Sequence, residues 1–292
     1  MKTENNKNSV IALDVGGSSV KSGLVKSDGL VDFVCHTPIN SQASKEKVLR
    51  VFAEIIQTVL PKVNPNEFLG IAIGFPGPFD YKNGLCLIQG QSKYDNLYRM
   101  NIRDELSKLL DFKKPILFCN DAKAAITGEA NYGAGKDFDR VMGITLGTGL
   151  GAGFIVNGVS VYTGQGIPLN AELFLFEFNG KRADDLFSTR GLIERFKKRG
   201  LYYDNVAEIT KDIEHGDTLL VKVFCEFGED LGQFLRPFVY DFTADVLIVL
   251  GGIANALDYF RSQLEAQLDI PVHPGKIQDA ALLGVAKLLY YE

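Results

Sequence analysis

A chain of 292 residues with 46% apolar, 23% charged and 11% aromatic side chains has the balance of an ordinary folded protein, which excludes disorder and collagen-like repeats. At about 150 residues per domain, the length favours two domains. The 31 basic residues against 36 acidic ones, a net charge of -5, leave no electrostatic footprint for nucleic acid or an anionic membrane and point to a small-molecule partner.

The opening stretch MKTENNKNSVIALDVGGSSV carries lysines, but Asp14 cuts its apolar run short, so no signal peptide is expected. VIALDVGGSSVKSGLVKSDGLVDFV predicts a strand, a tight glycine turn and a second strand. Residues 45–60 place Val48, Val51, Phe52, Ile55, Ile56 and Val59 on one helical face, and Pro61 stops the helix. FLGIAIGFPG reads as a buried strand ending in a loop, NIRDELSKLL as a helix, PILFC as a short buried strand and NDAKAAITGEA as a helix whose first residues cap it. VMGITLGTGLGAGFIVNGVSVY repeats the pattern of strand, glycine turn, strand. Residues 188–200 and 218–238 read as helices. DVLIVLGGIANAL gives a buried strand, a Gly251-Gly252 turn and the start of a helix, and residues 279–291 form a closing helix.

Residues 141–171 carry no charge, yet their eight glycines, Asn157, Gln165 and Pro168 exclude a membrane helix. Cys35, Cys86, Cys119 and Cys225 form no CxxC, and His36, His215 and His273 are widely spaced, which favours a reduced, cytoplasmic protein poor in metal ligands.

Setting IALDVGGSSVKSGLV beside GITLGTGLGAGFIV matches Gly16 to Gly147 and Gly23 to Gly153, about 130 positions apart, as two similar tandem domains would. GTGLGAG is not a dinucleotide fingerprint, because a strand rather than a helix follows it and no acidic residue stands about 20 positions on. Ordinary hairpin turns explain one such loop better than two. Two glycine hairpins facing each other can offer backbone N–H groups to a polyphosphate, with Ser18, Ser19 and Thr148 adding hydroxyls. Asp14, just before the first turn, suits Mg²⁺ held through water. Lys21 is either a phosphate partner or an exposed strand lysine. Asn120-Asp121 lies at the carboxyl end of a strand, where ligands of α/β folds bind. The pair is also a preferred helix cap. Between two phosphate-grade loops, Asp121 fits a general base for a hydroxyl attacking a γ-phosphate.

In collinear order, DVGGSSVKSG, GFPGP, CNDAKAAITGE, LGTGLGAG, VLGGIA and DAALLGVA resemble the ROK family of sugar kinases in the actin-like ATPase superfamily, from Val10 to the C-terminus. The resemblance implies an α/β fold of two ribonuclease-H-like domains with ATP and sugar in the cleft between them. The domains would be residues 1–119, with the closing helix 279–292 packed back on them, and residues 120–278. It implies a hexose kinase with ATP and Mg²⁺. Asp14, Gly16, Gly17, Ser18, Ser19 and Lys21 would form the first phosphate loop, Gly147, Thr148, Gly149 and Gly151 the second, and Gly251 and Gly252 would sit near the adenosine. Asp121 would be the base for the sugar 6-hydroxyl, and Gly77, Asn120, Glu172 and Asp184 would contact the sugar, with a one-residue slip exchanging Asp184 for Asp185.

The family's Glu-x-Gly-His and its cysteine-rich zinc loop are replaced here by NAELFLFEFNGKRADDLF. Leu175 stands where histidine is expected, and no cysteine lies between Cys119 and Cys225, so no structural zinc is expected. The run LFLFEF reads as core. Some relatives are repressors, but the 13 residues before Asp14 are too few for a helix-turn-helix, and Arg195, Lys197, Lys198 and Arg199 read as a solvated helix face. A sugar- or nucleotide-sensing binder of the same fold is the alternative function. The resemblance also allows a homodimer, though no segment marks an interface.

Overall fold

The computed structural model describes residues 8–215 and 217–290, and the chain divides into two compact units, residues 1–128 with 278–292 and residues 129–277. In the first, β1 (Ser9–Val15), β2 (Ser19–Lys26) and β3 (Val31–Pro38) form an antiparallel meander. Helix α1 (Lys45–Val59) buries Val48, Phe52, Ile55, Ile56 and Val59, and a 3₁₀ turn with Pro61 near its start ends it. Next come β4 (Phe68–Phe75), a small hairpin of β5 (Phe79–Asp80) and β6 (Leu85–Cys86), α2 (Ile102–Leu110) and β7 (Ile116–Asn120). Asn101 caps α2 by accepting the Asp104 N–H at 3.2 Å. Helix α3 (Asp121–Tyr132) follows β7 directly, and the division between units falls within it.

The second unit opens its sheet with β8 (Arg140–Leu146), β9 (Leu150–Val156) and β10 (Val159–Val161). A short excursion holds β11 (Glu177–Phe178), β12 (Lys181–Arg182) and α4 (Ala183–Phe187). Then follow α5 (Thr189–Lys197), α6 (Val206–Glu214), α7 (Thr218–Phe242), β13 (Val246–Leu250), a 3₁₀ helix over Gly252–Tyr259, α8 (Arg261–Leu268) and β14 (Val272–Pro274). Helix α9 (Ala280–Tyr290) returns to the first unit and packs on β1 and β4. The closing helix was expected to reach Tyr291, which lies outside the described residues, as do residues 1–7 of the opening stretch.

The two sheets have one plan, β3-β2-β1-β4-β7 and β10-β9-β8-β13-β14, each with an antiparallel meander and two further parallel strands. This is the ribonuclease-H-like order, present twice. The tandem repeat read from the glycines lies at equivalent places: Gly16 and Gly147 begin the turns after β1 and β8, while Gly23 pairs with Ala12 and Gly153 with Gly143.

Helix α7 runs past its expected end at Phe238 to Phe242, through Pro237. A proline inside a helix costs about 3 kcal/mol, but the continued turn buries Val239 and Phe242 at about 1.5–3 kcal/mol each, which offsets it. The basic run on α5 is not simply solvated either. Arg195 pairs with Asp230 at 2.6 Å and Arg199 with Glu226, both on α7, while Lys197 and Lys198 are exposed.

Candidate functional site

In the first unit, the parallel strands β1, β4 and β7 deliver their carboxyl ends side by side. Asp14 pairs in register with Gly74, and Gly74 with Cys119, so the β1 carboxylate and the Asn120-Asp121 pair flank the end of β4. Burial pushes the Asp14 carboxyl up to about 6, the Asp121 charge adds to the rise, and Lys21 opposes it. Asp121 is raised as well, by burial above all, against the opposing Ala122 N–H and the Lys93 charge. Two carboxyl groups with raised proton affinity, close enough to repel, hold a proton more readily than surface carboxylates and can share a cation. The neighbouring Cys119 is no nucleophile, since burial pushes its thiol up to about 12.

Asn120 and Asp121 both accept from backbone N–H groups in the first turn of α3. Asn120 Oδ1 accepts the Lys123 N–H at 3.2 Å, and Asp121 Oδ1 accepts the Ala122 N–H at 2.9 Å. The Asn120 side-chain amide donates to the Tyr81 hydroxyl at 3.2 Å, and that hydroxyl donates to the Phe75 carbonyl at 3.1 Å. Gly77 lies just beyond β4, where an added Cβ would stand 3.2 Å from the same hydroxyl. Tyr81 therefore fixes the face of Asn120.

The first glycine turn is closed by the Gly16 N–H on the Ser19 carbonyl at 2.9 Å and tied outward by the Ile39 N–H on the Ser18 carbonyl at 2.9 Å. The buried Tyr94 hydroxyl donates to the Gly16 carbonyl at 2.5 Å. Gly17, Ser18 and Ser19 are exposed. Lys21 is not the exposed strand lysine that the sequence left open as one reading. Its ammonium donates to the Gln278 carbonyl at 2.7 Å and pairs with Asp279 at the start of α9, and its side chain is only 12% exposed.

In the second unit, the turn between β8 and β9 has its own supports. The Gly147 N–H donates to the Gly149 carbonyl at 3.2 Å, the Thr189 N–H to the Gly147 carbonyl at 2.7 Å, and the Leu150 N–H to Asp184 Oδ1 at 2.8 Å. Gly151 pairs with Thr145 in the β8–β9 ladder. Gly251 has φ 90°, and a Cβ there would lie 2.4 Å from the Leu146 carbonyl oxygen, so only glycine fits against the end of β8. Gly17, Gly147 and Gly252 differ: an added Cβ would meet nothing within 4 Å, so internal packing does not demand glycine there.

Glu172 is half-buried and closes a short 3₁₀ turn over Leu169–Ala171. The run LFLFEF is not uniformly core. Leu173 is fully buried, but Leu175 is 60% exposed, and Phe176, itself half out of the core, lies edge-on to Phe238 at 5.1 Å. Asp185 pairs with Arg182 and Arg190 on the surface. Tyr81, Tyr94 and Arg190 were missed in the sequence, because each acts through a contact that local pattern does not encode. Glu129 was missed as well. It is fully buried and accepts the Lys276 and Ile277 N–H groups on Oε1, each at 2.7 Å, and the Ala134 N–H on Oε2 at 2.8 Å, tying the two ends of the second unit together.

Among the described residues, no three His, Cys, Asp or Glu side chains gather to hold a metal ion, and no helix is long and apolar enough to cross a membrane. A glucokinase from Thermotoga maritima is 26% identical over 96% of this chain and 96% of its own. A xylose repressor from Caldicellulosiruptor bescii is 24% identical over 82% of this chain and 65% of its own. A ROK family glucokinase from Streptomyces griseus, solved in complex with glucose and AMPPNP, superposes with a TM-score of 0.77 over 98% of this chain and 100% of that one, at 22% identity. That likeness agrees with the doubled sheet plan. The sequence model of the ROK family matches residues 10–289, almost the whole length, and the chain belongs to that family.

Proposed function

We propose that the chain is an ATP-dependent sugar kinase that moves the γ-phosphoryl group to a hexose hydroxyl, the 6-hydroxyl, with Asp121 as general base. The observation that carries this reading is the pair of carboxylates, Asp14 and Asp121, at the carboxyl ends of the parallel strands β1 and β7 on either side of β4, both with raised proton affinity. The glucokinase and glucose-complex relatives support the substrate class.

In the reaction the sugar hydroxyl oxygen bonds to the γ-phosphorus as the bond to the β,γ-bridging oxygen breaks and ADP leaves. Asp121 takes the hydroxyl proton, and its raised pKa makes it a better acceptor than a surface carboxylate. Asn120, braced by Tyr81, and the bare backbone at Gly77 suit the orientation of the sugar, with Glu172 as a further contact. Gly17, Gly147 and Gly252, where the fold itself tolerates a side chain, leave backbone open to a nucleotide: Gly16, Gly17, Ser18 and Ser19 at one stretch of phosphate, Gly147, Thr148 and Gly149 at another, Gly251 and Gly252 toward the adenosine. Lys21, in register with Asp14 and held by Asp279, would bring positive charge to the first phosphate turn.

The residues present fit Mg²⁺, which Asp14 would hold through water, because a cation beside two carboxylates that repel each other would relieve that repulsion. When bound, the ion neutralises charge building on the phosphate oxygens. Asp14 would have to be ionised to hold such an ion.

A second reading, a sensing protein that binds without turnover, is favoured by Leu175 in the histidine position and by the repressor relative. ADP release coupled to a hexose panel separates the two: turnover on at least one sugar supports the kinase, and binding without ADP release supports the sensor. Replacing Asp121→Ala is expected to lower kcat roughly 10²-fold or more with nucleotide affinity retained. Near-normal turnover in that variant would remove Asp121 from the mechanism.

A further inference from the structure

Asp184 stands where the family resemblance places a sugar contact, but its carboxylate is engaged elsewhere. Oδ1 accepts the Leu150 N–H at 2.8 Å, and a Cβ added to Gly149 would lie 3.0 Å from that same oxygen. Oδ2 accepts from the Arg190 guanidinium at 3.2 Å, and Arg190 is held in turn by Asp185 at 3.0 Å. The Asp184 backbone N–H donates to the Phe174 carbonyl at 3.2 Å, two residues beyond Glu172. Five positions on, the Thr189 N–H holds the Gly147 carbonyl at 2.7 Å. The segment from Asp184 to Thr189 thus grips the glycine turn at both ends, with the Asp184 carboxylate at one and a backbone donor at the other.

We infer that Asp184 is a positioning residue for the second phosphate turn, holding the Gly147–Leu150 backbone in the shape that receives a nucleotide phosphate, rather than a ligand of the sugar. This rests on the kinase reading. The physical case is that a turn rich in glycine is conformationally loose, so its amides serve as a preorganised anion site only if something outside the turn fixes them. A carboxylate on the Leu150 N–H is a charge-assisted hydrogen bond, stronger than a neutral one, and Arg190 keeps that carboxylate from rotating into solvent. The negative charge of Asp184 is balanced by Arg190, which limits its repulsion of a phosphate bound to the same turn.

The test separates nucleotide from sugar. Asp184→Ala is expected to weaken binding of Mg·ADP, measured by calorimetry without sugar, by about tenfold and to raise the ATP KM in parallel, with the sugar KM changed by less than about twofold. Asp184→Asn, whose amide oxygen still accepts the Leu150 N–H, should recover most of the loss, to within about threefold of the wild type. Native-state hydrogen exchange at the Leu150 amide should be faster in the Ala variant while the thermal midpoint stays close to that of the wild type. A rise in sugar KM with ADP affinity unchanged overturns the assignment and returns Asp184 to the sugar. So does unchanged exchange at Leu150. A wild-type chain that binds no nucleotide overturns the kinase reading itself, and the exchange result then decides alone whether Asp184 orders the turn. Global unfolding of the Ala variant moves the decision to Arg190→Ala, which frees the Asp184 carboxylate: faster exchange at Leu150 with weaker ADP binding supports the assignment, and wild-type values of both overturn it.

Discussion

Tyr94 reaches its partner across 78 positions of sequence to donate to the Gly16 carbonyl, and its ring is wedged against Phe75 at 5.1 Å. Burial pushes the phenol well above its ordinary pKa, so it stays a donor throughout the working range and introduces no pH dependence of its own. Tyr94→Phe keeps the ring packing and removes one hydrogen bond, so a stability loss of about 1 kcal/mol is expected. The larger effect should be functional: nucleotide affinity several-fold weaker in calorimetry, because the first turn loses its buttress. Asp14 carries the opposite trade. Its carboxyl has a folded-state pKa of about 6 against an ordinary value of 3.8, so between these values the folded chain holds a proton that the unfolded chain has released. Stability therefore falls as pH rises through that window, and the cost is complete above it, on the order of 1–3 kcal/mol. Asp14→Asn should be more stable than the wild type by that amount in urea melts at about pH 7.5 without nucleotide or divalent cation, the gain vanishing near about pH 4, and it should be nearly inactive. An equal gain at both pH values would show that Asp14 ionisation is not the source. The strand-end placement of Asp14 and Asp121 was legible in the sequence because each stands at the end of an apolar run. Tyr94, Tyr81 and Asp184 were not, since their partners are fixed only by the folded chain.

Among the elements, those with strong periodicity and a stop signal were readable: α1 with Pro61, the β1–β2 and β8–β9 hairpins with their glycines. Strand β3 was not, because it lies at a sheet edge with Phe33 and Val34 exposed, so its apolar residues do not alternate with burial. Helix α8 buries only Leu264 and Leu268, and β14 is three residues long, too little pattern for either to stand out. The contact between α3 and α9 was equally invisible. A Cβ on Gly284 would lie 1.8 Å from the Ala124 carbonyl oxygen, and one on Gly128 would lie 1.9 Å from that of Ala280. Two effects compete in Gly284→Ala. Helix propensity favours alanine by about 1 kcal/mol. Overlap with a backbone carbonyl, which cannot rotate aside, forces the helices apart and costs about 1–3 kcal/mol or more. At 1.8 Å the overlap wins, and a net loss of about 2 kcal/mol in urea melts is expected. A stabilised variant would show that the two helices are not in backbone contact.

At the scale of the whole molecule, the second unit is one continuous segment, while the first is assembled from two stretches separated by all of residues 129–277. The tandem reading of the glycines found the doubled plan, but the return of the last helix to the first sheet had to come from family resemblance, since periodicity does not say which face an amphipathic helix covers. That return carries much of the first unit's stability. Helix α9 buries Leu282, Leu283, Val285 and Leu289. At about 1.5–3 kcal/mol for each side chain, removing them forfeits roughly 6–12 kcal/mol. An entire domain is stable by only about 5–15 kcal/mol, so the first sheet should not survive without the helix. The second unit keeps its own core, with Phe187, Phe224, Phe227 and Leu247 fully buried, and its ends are clasped by Glu129. A chain ending at Ile277 is therefore expected to lose slow hydrogen exchange throughout β1, β4 and β7 while retaining it in β8 and β13. Fusing residues 278–292 through a flexible linker behind Gly128, in a chain of the first unit alone, should restore protection to β1 and β4. Protection of the first sheet in the shortened chain would mean that α9 only covers a sheet that is stable without it.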